Sequence, residues 1–206
     1  MIYLIITTSI NNRFGVINDN VRKDRYINCI ATVLDLVKNE PEIHPIIVEN
    51  NGNRDTYLSQ FHCDILYTNN NTLNFAHKGG NELLDIKQTI NHYNIQDEDT
   101  VIKLTGRYKP LNLKFIQTVK THCHTHDAFV KFFNVCTLQY HPLKDDCVLG
   151  LFAVKASHLK RFDYSYTKSA ECDFALYINH NAKNIYRIQQ LNLQCCFADN
   201  LRILEV

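Results

Sequence analysis

Thr-Val-Ile-Lys-Leu-Thr-Gly-Arg-Tyr-Lys-Pro, residues 100–110, is the stretch on which the reading of the fold turns. Val101, Ile102 and Leu104 have the apolar, β-branched character of a buried strand, and Gly106 gives the backbone freedom to turn after it. Lys103, Arg107 and Lys109 gather around Thr105 and Gly106, where a strand ends and a loop opens. In open α/β sheets ligands bind at such carboxyl ends, so an anionic ligand, first of all a phosphate-bearing one, is expected here. The plainer alternative is an ordinary strand whose Arg107 pairs with a surface carboxylate.

Working outward, Ile2 to Thr8 reads as a strand that breaks into Thr7-Thr8-Ser9 and then a polar loop with Asn11, Asn12, Arg13 and Gly15. From Arg22 to Lys38 the apolar positions Tyr26, Ile30, Val33 and Val37 recur at helical spacing, and Pro41 closes the segment. His44 to Val48 is a second strand, ended by the turn signal Glu49-Asn50-Asn51-Gly52. Strand, helix, strand implies a parallel crossover. Cys63 to Tyr67 is a third strand, and Lys78-Gly79-Gly80-Asn81-Glu82 opens a helix with Leu83, Ile86, Ile90 and Tyr93 on one face. Its glycines would let a ligand approach the backbone, and its first turn favours anions.

Beyond the central stretch, Pro110 suits the first turn of a helix whose buried face is Leu113, Ile116 and Val119. His122, His124 and His126 would share one side of an extended segment; without a carboxylate partner they make a poor metal site. Strands are expected at Ala128 to Phe133, Val135 to Tyr140 and Val148 to Val154, a helix over Ser169 to His180 with Phe174, Tyr177 and Ile178 inward, and strand-prone sequence from Ile185 to Ala198. The first half is thus β-α-β-β-α-β, and the second mixes strands and helices less regularly.

The 206 residues suffice for one sizeable core. A formal net charge of +1 argues against a surface built to hold duplex nucleic acid. Met1 to Thr8 is too short for a membrane span and lacks a leader signature, so no membrane span and a cytoplasmic location are expected. The eight cysteines contain no Cys-x-x-Cys, and several, such as Cys29 and Cys136, sit in apolar runs that suit reduced, buried thiols. The asparagine runs at 11–12, 50–51 and 69–71 say little about function.

Five segments together resemble the small nucleotide-sugar glycosyltransferases of the GT-A fold, particularly compact versions from large DNA viruses and bacterial surface-polysaccharide clusters. They are Ile-Ile-Thr-Thr-Ser-Ile at 5–10, Val-Glu-Asn-Asn-Gly at 48–52, His-Lys-Gly-Gly-Asn-Glu at 77–82, Ile-Lys-Leu-Thr-Gly-Arg-Tyr at 102–108 and Glu-Cys-Asp-Phe at 171–174. The resemblance implies one α/β domain over 1–206 with a mostly parallel central sheet, residues 1–108 forming a Rossmann-like nucleotide-binding half and 109–206 a mixed acceptor-side half. It implies a nucleotide-diphosphate sugar as donor and a hydroxyl on a glycan or related acceptor. Thr7, Thr8, Ser9, Glu49, Asn50 and Asn51 would contact the base or ribose, Arg13 would belong to the donor site, and Lys78, Gly79 and Glu82 would lie near the ribose, phosphates or sugar. Glu171 or Asp173 would stand near the acceptor hydroxyl as a general base; the alternative for Glu171 is a charge that stabilises its helix N-terminus.

One departure concerns the cofactor. The family usually closes its fourth strand with Asp-x-Asp, which holds a divalent metal, manganese or magnesium, against the diphosphate; here Thr105-Gly106-Arg107 stands in that place. The acidic triplet Asp97-Glu98-Asp99 precedes the strand, and at about 3.3 Å per residue it lies roughly 20 Å or more from Arg107. Arg107 and Lys103 are therefore expected as cationic substitutes for the metal, Lys103 sharing the strand face of Thr105 and Arg107. Two other readings remain open. One is a non-catalytic nucleotide- or sugar-binding module assisting a partner; the other is a nucleotidyltransferase, although no glycine-rich, Arg/Lys-containing signature lies near the first strand.

Overall fold

In a computed structural model of the chain, residues 1–11, 19–133, 145–197 and 202–206 are described. Arg13 and the strand expected over 135–140, with Cys136, lie outside them. The elements run β1 (Ile2–Thr8), α1 (Asp19–Val37), β2 (Ile43–Glu49), β3 (Asp64–Tyr67), α2 (Gly79–His92), β4 (Thr100–Thr105), β5 (Lys109–Pro110), α3 (Lys114–His122), β6 (Ala128–Val130), β7 (Leu151–Lys155), α4 (Ala156–Arg161), α5 (Ala170–Asn181), β8 (Ile185–Arg187), β9 (Leu193–Cys196) and β10 (Ile203–Glu205).

Seven strands form one sheet in the order β3-β2-β1-β4-β7-β6-β8, and β10-β9-β5 form a small antiparallel sheet. The first four strands are parallel; β7 runs antiparallel to β4 and β6, and β8 is parallel to β6. β1 is buried along its whole length because both faces of the sheet are covered. Ile2, Leu4 and Ile6 point into a cluster with Tyr26, Ile30 and Val33 of α1 and Phe115, Ile116 and Val119 of α3. Tyr3 and Ile5 point the other way, to Leu83, Ile86 and Ile90 of α2 and Phe174 and Ile178 of α5. The alternation of side chains along a strand distributes the two cores.

This topology places the ligand end. The chain steps outward from β1 to β2 to β3 and then returns to lay β4 on the other side of β1, so the order reverses between β1 and β4. At such a switch point the following segments diverge and leave a crevice outside the carboxyl ends of the strands. Thr7 pairs in register with Thr105 at that end, and Ile2 with Thr100 at the other. The acidic triplet therefore belongs to the far edge, where Asp99 meets the N-terminal amine at 2.6 Å and Asp97 meets Lys160 at 2.6 Å.

Several expectations need correction. Pro110 does not open a helix: it lies in β5 opposite Leu193, and α3 starts only at Lys114. A proline has no amide to donate, which an edge strand tolerates. His122 ends α3 and is followed by a turn, so the three histidines are not aligned on an extended segment; His122 and His126 pack instead on Tyr186. β7 begins at Leu151 rather than Val148, and α4 went unread because its six residues are too few to show a helical period. Residues 185–197 are two separate strands in different sheets. The described cysteines are all free thiols.

Candidate functional site

A cavity of about 200 Å³ opens at the switch point. Thr7, Thr8 and Ser9 at the end of β1 and Asn50 just past β2 form one wall. Lys78, Gly79, Glu82 and Asp85 enter from the start of α2, and Lys103, Thr105, Arg107 and Tyr108 from β4 and the turn beyond it. Arg22 and Tyr26 of α1, Leu149 and Gly150 before β7, and Glu171 at the start of α5 complete the lining. The structure thus gathers most of the residues anticipated from both halves of the sequence around one space.

At the floor, Lys103 Nζ lies 2.9 Å from a Glu82 carboxylate oxygen and donates to Thr105 Oγ1 and to the Leu149 carbonyl, each at 2.7 Å. Thr7 Oγ1 donates to the same glutamate at 2.5 Å. Burial works to raise the Glu82 pKa, but the Lys103 ammonium and the Thr7 hydroxyl outweigh it and hold the carboxyl below its ordinary range. Burial lowers the Lys103 pKa, opposed by Glu82. Lys103, expected as a cationic substitute for the metal, thus already has Glu82 as a counter-ion.

Asp85, one turn further along α2 and 1% exposed, was missed in the sequence. Its carboxyl accepts from Thr68 Oγ1 at 2.6 Å, Asn70 Nδ2 at 2.7 Å and Asn50 Nδ2 at 3.0 Å. Desolvation exceeds these bonds and pushes its pKa up to about 7. A signal existed: Glu82, Asp85 and Thr89 recur at helical spacing beside the apolar stripe, a polar seam turned toward the sheet.

Other expected residues stand back from the cavity. Glu49 is wholly buried and accepts from Thr8 Oγ1 at 2.6 Å, the Ile10 amide at 3.2 Å and the Asn51 amide at 3.0 Å, so its carboxylate ties the ends of β1 and β2 together. Asn51 is held by Glu49 and accepts from Asn71 at 2.7 Å. Gly106 is needed for close approach, not for a special dihedral: its amide donates to the Thr7 carbonyl at 2.8 Å, and a Cβ would stand 3.0 Å from that oxygen. Gly79, by contrast, lines the cavity, where a Cβ on it would meet Ala170 at 2.9 Å. Asp173 is not in the cavity wall; its oxygens accept from Ser165 Oγ at 2.8 Å, the Ser165 amide at 2.8 Å and the Tyr166 amide at 3.2 Å, which anchors the segment before α5. Glu171 lines the cavity, and its side chain has no hydrogen-bond or ion-pair partner among the described residues.

The donor set at the end of β4 does not fit a divalent cation. It offers one hydroxyl, already engaged by Lys103, and a guanidinium; Glu82 is paired with an ammonium; and no group of three metal-ligating side chains exists among the described residues. Among the same residues no helix is long and apolar enough to cross a membrane.

No protein-family model and no curated protein sequence matches the chain. Solved structures do resemble it. TarS of S. aureus superposes with a TM-score of 0.55 at 12% identity, over 91% of this chain and 35% of that one, so the chain spans about a third of its length. A protein of Desulfovibrio desulfuricans G20 described as a nucleotide-diphospho-sugar transferase gives 0.55 at 8%, over 91% and 79%. A cytidylyltransferase from Leptospira borgpetersenii serovar Hardjo-bovis gives 0.55 at 10%, over 100% and 81%. At such identities the likeness shows the fold alone: the chain has a GT-A-like α/β architecture, shared with these structures.

Proposed function

We propose that the chain is a glycosyltransferase that moves a sugar from a nucleotide-diphosphate donor to a hydroxyl of a glycan or related acceptor. The observation that carries this reading is the cavity at the switch point, where the basic side chains Arg22, Lys78, Lys103 and Arg107 share the wall with the unpartnered carboxylate of Glu171. Cations suit a departing diphosphate, and an unengaged carboxylate suits a proton. In this reading Thr8, Ser9 and Asn50 face the nucleoside, and Arg107 faces the diphosphate. The acceptor oxygen bonds to the anomeric carbon, the bond to the diphosphate oxygen breaks with its electron pair leaving on the diphosphate, and the hydroxyl proton passes to Glu171. A structure of TarS 1-349, to which this chain is similar in fold, is in complex with UDP, which supports a nucleoside diphosphate as the ligand class. Asp173 is assigned a positioning role, and no step is routed through a metal.

A panel of nucleotide sugars, incubated with the protein and with metal chelated, tests the reading by release of nucleoside diphosphate. Release from one donor, lost in Glu171→Gln, supports it; no release and no thermal stabilisation by any donor overturns it. The cytidylyltransferase among the similar structures favours a second reading, nucleotidyl transfer, in which a nucleoside triphosphate and a sugar phosphate would instead release pyrophosphate.

A further inference from the structure

Arg22 is 3% exposed and contributes to the cavity wall, yet its charge is barely answered. Its Nη2 donates to the Ser9 carbonyl at 3.2 Å and to Tyr26 Oη at 3.2 Å, while Nε and Nη1 are buried and have no hydrogen-bond partner. None of the ion pairs among the described residues includes it. Tyr26 Oη also accepts from the Ser9 amide at 3.3 Å, and Arg107, a second cation, lies in the same wall. Arg107 Nε donates to the Cys196 carbonyl at 2.8 Å, which fixes that guanidinium from the side of the small sheet. Two guanidiniums, one from α1 and one from the turn after β4, thus line one cavity.

Such an arrangement is costly without an anion. A buried charge with two idle donors forfeits their hydration, and a second cation in the same cavity wall adds repulsion. Both penalties vanish when an anion with several oxygens sits between the two forks, because a guanidinium matches phosphate oxygens in pairs. We propose that Arg22, with its two idle donors, and Arg107 in the same cavity wall form a two-arginine clamp for a diphosphate group. That the diphosphate belongs to a sugar donor rests on the function proposed above; the clamp itself does not. Tyr26 is a positioning residue for Arg22: its oxygen accepts from Arg22 Nη2 and so orients that guanidinium.

The test is calorimetric titration of the full chain with inorganic pyrophosphate at low ionic strength and with metal chelated. The expected result is saturable one-site binding, weakened by about tenfold or more in Arg22→Gln and in Arg107→Gln, and by less in Tyr26→Phe. Equal affinity in wild type and Arg22→Gln, or no binding by wild type, overturns the clamp. Should Arg22→Gln fail to fold, phenylglyoxal labelling of the wild-type protein decides: pyrophosphate shields Arg22 from modification if the clamp exists, and labelling unaffected by saturating pyrophosphate overturns it. Pyrophosphate binding that needs Arg22, without turnover of any nucleotide sugar, keeps the clamp and removes the sugar-transfer reading. Turnover undiminished in Arg22→Gln does the reverse.

Discussion

Lys103 Nζ and Glu82 Oε1 stand 2.9 Å apart across the junction of β4 and α2, with 2% of the lysine side chain exposed. The pair joins the strand that ends at the cavity to the helix that starts there. Removing one member leaves the other charge buried alone, which costs about 3–5 kcal/mol for such pairs. Lys103→Met is expected to destabilise the protein by about 3 kcal/mol, and the double variant with Glu82→Gln by less than the sum of the singles. Urea unfolding of the four proteins measures the difference; additivity would mean that the two side chains do not interact.

Asp85 gives the stability a pH dependence of identifiable sign. Its pKa rises from 3.8 to about 7 on folding, so between those values the unfolded chain has released a proton that the folded chain retains. Stability therefore falls as pH rises through that window, by on the order of 4 kcal/mol in total. Glu82, whose pKa is lowered, acts in the opposite sense and below its ordinary 4.5, where stability falls as pH falls. Asp85→Asn should flatten the upper window and leave the lower one, which denaturation midpoints from pH 3 to 8 would show.

Glu171 and Asp173 lie in the same first turn and are predicted to fail differently. Glu171→Gln should lower turnover by about 10²–10⁴-fold if the carboxylate is the base, and cost about 1 kcal/mol or less in stability through the helix terminus. Asp173→Ala should cost about 1–3 kcal/mol, because the Ser165 amide and hydroxyl and the Tyr166 amide lose a buried, charged acceptor. Parallel assays of nucleoside diphosphate release and thermal melting separate the two.

Gly150 is held by its neighbour. A Cβ there would stand 2.0 Å from the Tyr108 ring, which covers the glycine at the cavity wall. Gly150→Ala must displace that ring and is expected to cost about 1–3 kcal/mol. A companion Tyr108→Leu substitution should recover part of the loss in a thermal melt; no recovery would point to the backbone at 150 instead.

Local pattern was enough for much of this protein. The bounds of β1, the helical stripe of α1 and the strand at 100–105 follow from side-chain periodicity, because a period of two or of 3.6 records which face is buried. The strand–helix–strand order then implies parallel pairing and puts Thr7 and Arg107 at the ligand end. What periodicity could not carry was the partnership of charges. Lys103 with Glu82 and Glu49 with Thr8 are paired from distant segments, and Arg22 and Arg107 are placed in one cavity wall, by the crossover and by the reversal at β1. A buried cation that has a carboxylate and one that lacks it look alike along the chain. Only the packing of α1 and α2 on opposite faces of the sheet decided that Lys103 is neutralised and that two donors of Arg22 are left unpartnered among the described residues.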